Sequence, residues 1–335
     1  MTTPDVLVLG ATGLIGRWLV PELTRQGRHV AVVVRRAAER ADEYRAWTAA
    51  HNGDPSRLTV LDGDLTAPGL GLPADAPLAD VRDVYNLGGR FAFGLAREEA
   101  RRVNVDGALE VVRWTARLTA PRRLVHISGY RVGSSPVGDL DLLYRKLGAY
   151  EASKVEADGA VRREATALGV PFNIVNPSTV IGDSRTGETT QRIGLAALVL
   201  DLHQRRLPAL PGSRDTWVPV ITADHLARFL AAVPEHAKPG EALWALDEST
   251  PPLHTLLRQV AAHLDVPAPR LSVPAALLRR LPPRLTGTDP ETLSFLSADR
   301  YPTTTATTLS EKASLTPPPL LPALNAWSTH LTTHP

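Results

Sequence analysis

Cysteine is absent from this 335-residue chain. Disulfides, thiolate nucleophiles and cysteine-ligated zinc or iron–sulfur centres are therefore excluded. A surplus of charge is missing too: 37 Lys+Arg stand against 35 Asp+Glu, leaving +2. Nucleic-acid binding draws its affinity from clustered positive charge that releases counterions, so no nucleic-acid partner is expected. No apolar run approaches the roughly 18 residues that a membrane-spanning helix needs. The opening Met1-Thr2-Thr3-Pro4-Asp5 carries no basic segment ahead of a long apolar one, and the expectation is a cytoplasmic protein with no membrane partner. The ten histidines show no metal-ligand spacing, so no metal site is expected. Lysine is scarce as well, confined to Lys146, Lys154, Lys238 and Lys312.

What is there is an ordinary globular composition, 43% hydrophobic and 21% charged. At about 150 residues per domain, the length allows one large domain or two modest ones. Short continuous apolar runs at 6–9, 30–34, 58–61, 84–87, 124–127 and 172–175 have the pattern of strands buried on both faces. Helical patterns lie between them, such as Leu14, Ile15, Trp18, Leu19 and Leu23. This alternation predicts an α/β fold, a doubly wound parallel sheet with helices on both sides. Pro21 falls inside the first helical pattern, where the missing backbone donor should bend the helix. Past residue 183 the texture changes, with helices expected at 193–202, 224–233 and 253–264, a strand at 217–220 and a threonine-rich loop at 303–308.

The run Gly10-Ala11-Thr12-Gly13-Leu14-Ile15-Gly16 directly follows the first strand and opens a helix. Glycines there let the backbone approach a pyrophosphate, and the helix N-terminus offers unpaired N–H donors. The second strand ends Val34-Arg35-Arg36, with no acid at its tip. A carboxylate in that place accepts from the ribose 2′-hydroxyl, whereas arginine suits a 2′-phosphate. The predicted cofactor is therefore NADP(H), with Glu39 or Asp42 reaching back as the competing arrangement. Leu61-Asp62-Gly63-Asp64-Leu65 closes the third strand, where a carboxylate such as Asp64 can take an adenine amino group and Leu65 can flank the ring; an Asp-Gly turn is the competing reading. Gly88 and Gly89 close the fourth, where small residues leave the cofactor room. Tyr150-Glu151-Ala152-Ser153-Lys154 puts a tyrosine and a lysine on one face of a helix. A nearby ammonium stabilises a phenolate and makes Tyr150 a usable proton donor to a carbonyl.

Together these stretches resemble the short-chain dehydrogenase/reductase family, in its extended group of epimerases, dehydratases and carbonyl or thioester reductases. The resemblance runs from about residue 6 to 260 and includes Asn104-Val105-Asp106-Gly107, 176–182, 217–226 and Trp244-Ala245-Leu246. It implies a Rossmann fold over residues 1–183 and a smaller mixed substrate-binding region over 184–335, with sheet elements from about 217–247 returning to the first part. It also implies hydride transfer at a nicotinamide, with Lys154 holding its ribose and Pro177, Thr179 and Val180 beside it. Asn104 resembles an asparagine that supports the family's proton path, and family members often pair as homodimers through Rossmann-half helices. One departure stands out. The family places its carbonyl-polarising hydroxyl second in a pair after the fifth strand, and here that position is Gly129. Ser128 is the candidate one residue earlier; because adjacent strand residues face opposite sides, burial of Ser128 is the competing expectation. Tyr130, Ser134 and Ser135 are further candidates. The expected activity is NADP(H)-dependent reduction of a carbonyl on a small or medium organic molecule. A nucleotide-sugar epimerase or dehydratase using NAD, and a non-catalytic NADPH-binding sensor or scaffold, are the rivals.

Overall fold

Four residues of unbroken aliphatic side chain, Val6–Leu9, form β1, and every one is buried. β2 (Val30–Val34) follows the same rule; β4 (Asp83–Asn86), β5 (Arg123–Ile127) and β6 (Phe172–Pro177) are buried throughout but carry polar residues as well, and β3 (Leu58–Asp62), at the sheet edge, buries only Leu58. The computed structural model describes residues 3–92, 94–132, 138–274, 277 and 295–334. All six strands pair in parallel, joined by β10 (Ala242–Ala245), in the order β10-β6-β5-β4-β1-β2-β3. Sequential strands run outward from β1 in both directions, so the chain reverses between β1 and β4. A crevice opens at such a reversal, outside the carboxyl ends of the strands.

Helices follow the strands: α1 (Leu14–Arg25), α2 (Ala37–Ala50), α3 (Arg97–Arg101), α4 (Gly107–Thr115), α5 (Leu140–Leu147) and α6 (Ala149–Ala167). Val84, Leu124 and Ile174 of the sheet pack into one core with Val111 and Val112 of α4 and Val161 and Ala165 of α6. Each such aliphatic side chain gains about 1.5–3 kcal/mol on full burial. Pro21 sits inside α1. It cannot donate to the Arg17 carbonyl one turn back, and the Trp47 indole N–H of α2 takes that acceptor at 2.8 Å instead. A tertiary contact thus replaces the lost helical bond.

The described residues fall into two compact units. The first comprises residues up to 177, 226–245 and 303–315. Its last segment corrects the threonine-rich loop: Thr304–Lys312 is a helix, with Thr305 Oγ1 donating to the Ala242 carbonyl of β10 at 2.8 Å. Threonine disfavours helix only by a fraction of a kcal/mol, roughly 0.5 or less, which packing overrides.

The second unit takes residues 178–225, 246–302 and 316–335. Its strands are β7 (Thr179–Ile181) paired with β9 (Val220–Thr222), and β8 (Leu210–Pro211) paired with β11 (Ser272–Val273). The strand expected at 217–220 begins later, at Val220, because the Trp217 main-chain N–H is spent on the Ser297 carbonyl at 2.8 Å and Pro219 has no N–H to give. Helices α7 (Leu195–His203), α9 (Leu253–His263) and Leu320–Thr333 surround a core of Val199, Leu202, Leu256, Val260, Leu324 and Trp327. Helix α8 (Ala223–His236) completes the named elements.

Candidate functional site

The loop after β1 divides its glycines among three tasks. Gly10 has φ +80°, and a Cβ there would lie 2.5 Å from the Leu87 carbonyl carbon. The turn is therefore tight, closed by the Gly13 N–H on the Gly10 carbonyl at 3.1 Å. A Cβ on Gly16 would lie 2.5 Å from Ala11 Cα, so α1 presses directly on the loop. Gly13 differs: an added Cβ meets only the Gly10 carbonyl oxygen, at 3.5 Å. Its surface is open, as close backbone approach to a pyrophosphate requires. Gly13 and Thr12 are exposed, Ile15 is half-buried, and Leu14 and Gly16 are buried. No side chain among the described residues caps α1, and no acid lies in its first turn. A positive helix end is thus left facing the crevice. These residues fit a dinucleotide.

Beside this loop, Arg35 and Arg36 are exposed at the tip of β2. Arg36 is left-handed at φ 57° where α2 begins, and its guanidinium pairs with Glu39 at 3.3 Å. Asp64 Oδ1 accepts from the Thr66 N–H and hydroxyl, both at 2.8 Å. That bonding, with Arg35 nearby, holds its carboxyl below the usual range. Leu65 lies against Gly88 and Gly107, whose Cβ atoms would fall 2.8 and 2.9 Å from it. The other carboxylate of this run takes a place that sequence reasoning did not assign. Asp62 of β3 pairs in register with Val34, and its Oδ1 accepts the Ala37 N–H of α2 at 3.3 Å. Only the parallel register reveals that an acid reaches the β2 tip from the neighbouring strand.

At the other side of the crevice, α6 carries Tyr150 and Lys154. Lys154 Nζ donates to the Ile127 carbonyl, at the end of β5, at 2.9 Å. Burial pushes its ammonium down to about 8, with Asp158 opposing. The Tyr150 ring tilts against Phe91, centroids 4.8 Å apart. Burial raises its phenol well above the ordinary value, and the adjacent Glu151 adds to the rise. Between α3 and α4 the helix widens to a π-helical stretch, Arg102–Asp106, that buries Asn104. Its Nδ2 donates to Ser153 Oγ at 2.9 Å, Ser153 Oγ donates to the Tyr150 carbonyl at 2.7 Å, and its Oδ1 accepts the Arg90 N–H at 2.8 Å. A Cβ on Gly89 would lie 3.2 Å from Asn104 Oδ1 and 4.0 Å from Lys154 Nζ. Asn104 and Lys154 therefore meet at Gly89, and Ser153 links Asn104 to the Tyr150 carbonyl.

Ser128 is buried, 5% exposed, and its hydroxyl makes no hydrogen bond among the described residues. Next to it, a Cβ on Gly129 would meet only Val132 Cγ2, at 3.5 Å, so a hydroxyl side chain would fit there. Tyr130 is buried and its carbonyl accepts the Trp244 indole N–H; Ser134 and Ser135 lie outside the described residues. Two further polar groups lie at these strand ends. His126 Nδ1 and Asn86 Nδ2 are 3.1 Å apart, and burial, assisted by Lys154, pushes the imidazole down to about 3. Asn176 of β6 is fully buried, and neither atom of its amide is hydrogen-bonded among the described residues.

Pro177 ends β6, whereas Thr179 and Val180 fall in the second unit, paired with Val220 and Ile221. Among the described residues no cluster of three or more His, Asp or Glu is arranged to hold a metal, and no helix is long and apolar enough to cross a membrane.

The sequence profile of the NAD-binding male sterility protein family matches residues 8–230. A polyketide synthase–nonribosomal peptide synthetase of Pyricularia oryzae is 30% identical over 235 residues, which is 63% of this chain and 5% of that protein. A dTDP-6-deoxy-L-talose 4-dehydrogenase (NAD(P)(+)) of Kitasatospora kifunensis is 30% identical over 217 residues, 60% of this chain and 61% of its own length. The chain thus spans less than two thirds of these relatives. Among solved structures, the terminal R domain from the myxalamid biosynthetic pathway shares the fold at a TM-score of 0.79 and 20% identity, covering 100% of this chain and 91% of that one. A UDP-glucuronic acid 4-epimerase from Bacillus cereus, in complex with UDP-glucuronic acid and NAD, does so at 0.69 and 16%, covering 98% of each.

Proposed function

Because this chain belongs to the male sterility protein family, within the extended short-chain dehydrogenases/reductases, we propose that it is an NADP(H)-dependent reductase of a carbonyl on a small or medium organic molecule. The observation that carries the reading is the approach of Asn104 and Lys154 to Gly89, with Ser153 tying Asn104 to the Tyr150 carbonyl and Tyr150 one turn before Lys154 on α6. In it, the loop from Gly10 to Gly16 and the α1 N-terminus bind the pyrophosphate. Arg35 and Arg36 take the 2′-phosphate, and Asp64 and Leu65 the adenine. When bound, the dinucleotide supplies a hydride to the carbonyl carbon. Tyr150 gives its phenolic proton to the carbonyl oxygen as charge develops there, and recovers one from solvent. Lys154 stabilises the phenolate left behind, a task its buried ammonium can perform while charged. Asn104, through Ser153 and the Tyr150 carbonyl, fixes the start of α6. A hydroxyl, Ser128 in this reading, orients the substrate oxygen.

Calorimetric titration of nucleotide-free protein tests the first half: NADPH is expected to bind more tightly than NADH. A preference for NADH moves the reading to epimerase or dehydratase chemistry, and binding of neither removes it. Loss of NADPH absorbance with aldehyde and ketone probes tests the second half. Tyr150→Phe is expected to lower turnover about 10²–10⁴-fold; an unchanged rate overturns Tyr150 as the acid.

A further inference from the structure

The β2 tip does not present two unopposed cations. Arg36 is paired with Glu39 at 3.3 Å, both side chains being largely exposed, 74% and 65%. Arg35 acts on the Asp64 carboxyl. The third charge is Asp62, carried across from β3 by the Val34–Asp62 register and held by the Ala37 N–H at the first turn of α2. In a dinucleotide-binding fold, a carboxylate at this tip accepts from the ribose 2′-hydroxyl. The acid normally ends β2. Here the end of β2 is Arg35-Arg36, and the acid arrives from the strand beside it.

We propose that Asp62 is a cofactor-selecting residue: its carboxylate accepts a hydrogen bond from the adenosine ribose diol of NADH and opposes the 2′-phosphate of NADPH. The inference rests on the dinucleotide reading of the crevice given above. The balance of charge at the tip follows. Arg35 and Arg36 attract a 2′-phosphate dianion, while Asp62, already seated on a donor of the α2 terminus, repels it and occupies an N–H the phosphate would use. The consequence is a chain that accepts both dinucleotides, with Asp62 holding the preference for NADPH down. Asp62 is exposed, so exchange of its charge leaves the core untouched.

Asp62→Asn isolates the charge, because the amide oxygen can still accept from Ala37. Calorimetric dissociation constants for NADPH and NADH, measured on wild type and variant at low and at high salt, give the readout. The ratio of NADPH to NADH affinity is expected to rise about tenfold in the variant, one unit of charge against a dianion at this exposure, and to shrink toward the wild-type ratio as salt is added. Arg36→Ala is expected to move the ratio the other way. A ratio unchanged by Asp62→Asn, or an equal fall for both dinucleotides, overturns the proposal and leaves Asp62 as a cap of α2. Failure of the wild type to bind either dinucleotide overturns the dinucleotide reading itself, a different result from an unchanged ratio.

Discussion

The two ends of the same three strands, β4, β5 and β6, treat buried polarity in opposite ways. At their amino ends Asp83 is 0% exposed, and its carboxylate is matched by Arg28 Nη2 at 2.6 Å and Arg122 Nε at 2.8 Å. Arg28 also bonds Asp5, which in turn accepts the His29 N–H at 2.8 Å. Arg123, beside them, reaches Asn173 Oδ1 at 3.1 Å. At the carboxyl ends, His126 Nε2, the Ser128 hydroxyl and both amide atoms of Asn176 lack hydrogen bonds among the described residues. Each such atom costs about 1–3 kcal/mol when nothing meets it. The amino end is an anchor in which the Asp83 charge is answered by Arg28 and Arg122, while Arg123 Nε makes no hydrogen bond among the described residues. The carboxyl end keeps open valences where, on the proposed reading, ligand groups and protons arrive. Stability and chemistry are thus separated along the strand direction, with loops at one end free to vary.

The largest effect expected from breaking this contrast is at the anchor. Asp83→Ala leaves two arginines without their shared carboxylate and should cost about 3–5 kcal/mol in urea unfolding. Dinucleotide affinity of the folded fraction should stay as it was. A loss below about 1 kcal/mol would make the anchor an ordinary surface pair and end the comparison.

At the other end, pH separates the groups. His126 is held neutral, its pKa near 3 in the folded chain against about 6.5 unfolded. Its contribution is intact above about pH 6.5 and is lost as pH falls toward 3, where the unfolded chain binds the proton first. Wild-type stability should therefore drop across that window by roughly 4 kcal/mol at most from this group, and His126→Gln should flatten the acid limb. Lys154, pushed down to about 8, acts in the alkaline window. Between about pH 8 and 10.5 the unfolded chain holds the proton that the folded chain has released, so stability rises with pH. Lys154→Met should remove that rise while depressing turnover. Urea unfolding at several pH values checks both; parallel curves for wild type and variant would contradict the burial argument.

The smallest expected changes distinguish two glycines of one loop. Gly16→Ala forces a Cβ to 2.5 Å from Ala11 and should cost about 1–3 kcal/mol. Gly13→Ala, whose Cβ would meet the Gly10 carbonyl oxygen at an ordinary contact distance of 3.5 Å, should leave the melting temperature nearly unchanged and weaken NADPH about tenfold or more by blocking the phosphate's approach. Equal effects on stability would refute the division of tasks.

Much of this was legible in residue order. The six apolar runs predicted strands within one or two residues of where they lie, since a strand buried on both faces announces itself by continuous aliphatic character. Family membership and the doubly wound sheet were legible in the glycine loop and the later motifs together. The misses share a cause. Thr304–Lys312 is helical because Thr305 and its neighbours dock beside β10, more than sixty residues earlier in the chain. Pro21 lies inside α1 as its place in the helical pattern predicted; what residue order left out is the Trp47 donor that takes the freed carbonyl.

By itself the sequence determined what depends on near neighbours: the strand–helix alternation, the glycine turn, and the placement of Tyr150 and Lys154 on one helical face, four residues apart. Period and local sterics suffice for these. The tertiary structure alone decided which polar atoms have partners. It brought Asp62 to the tip of β2, gave Asp83 its two arginines, and left the Asn176 side-chain amide and the Ser128 hydroxyl without hydrogen bonds among the described residues. Satisfaction of a buried group is a property of everything packed around it, and those neighbours come from distant segments that only strand register and helix docking bring together.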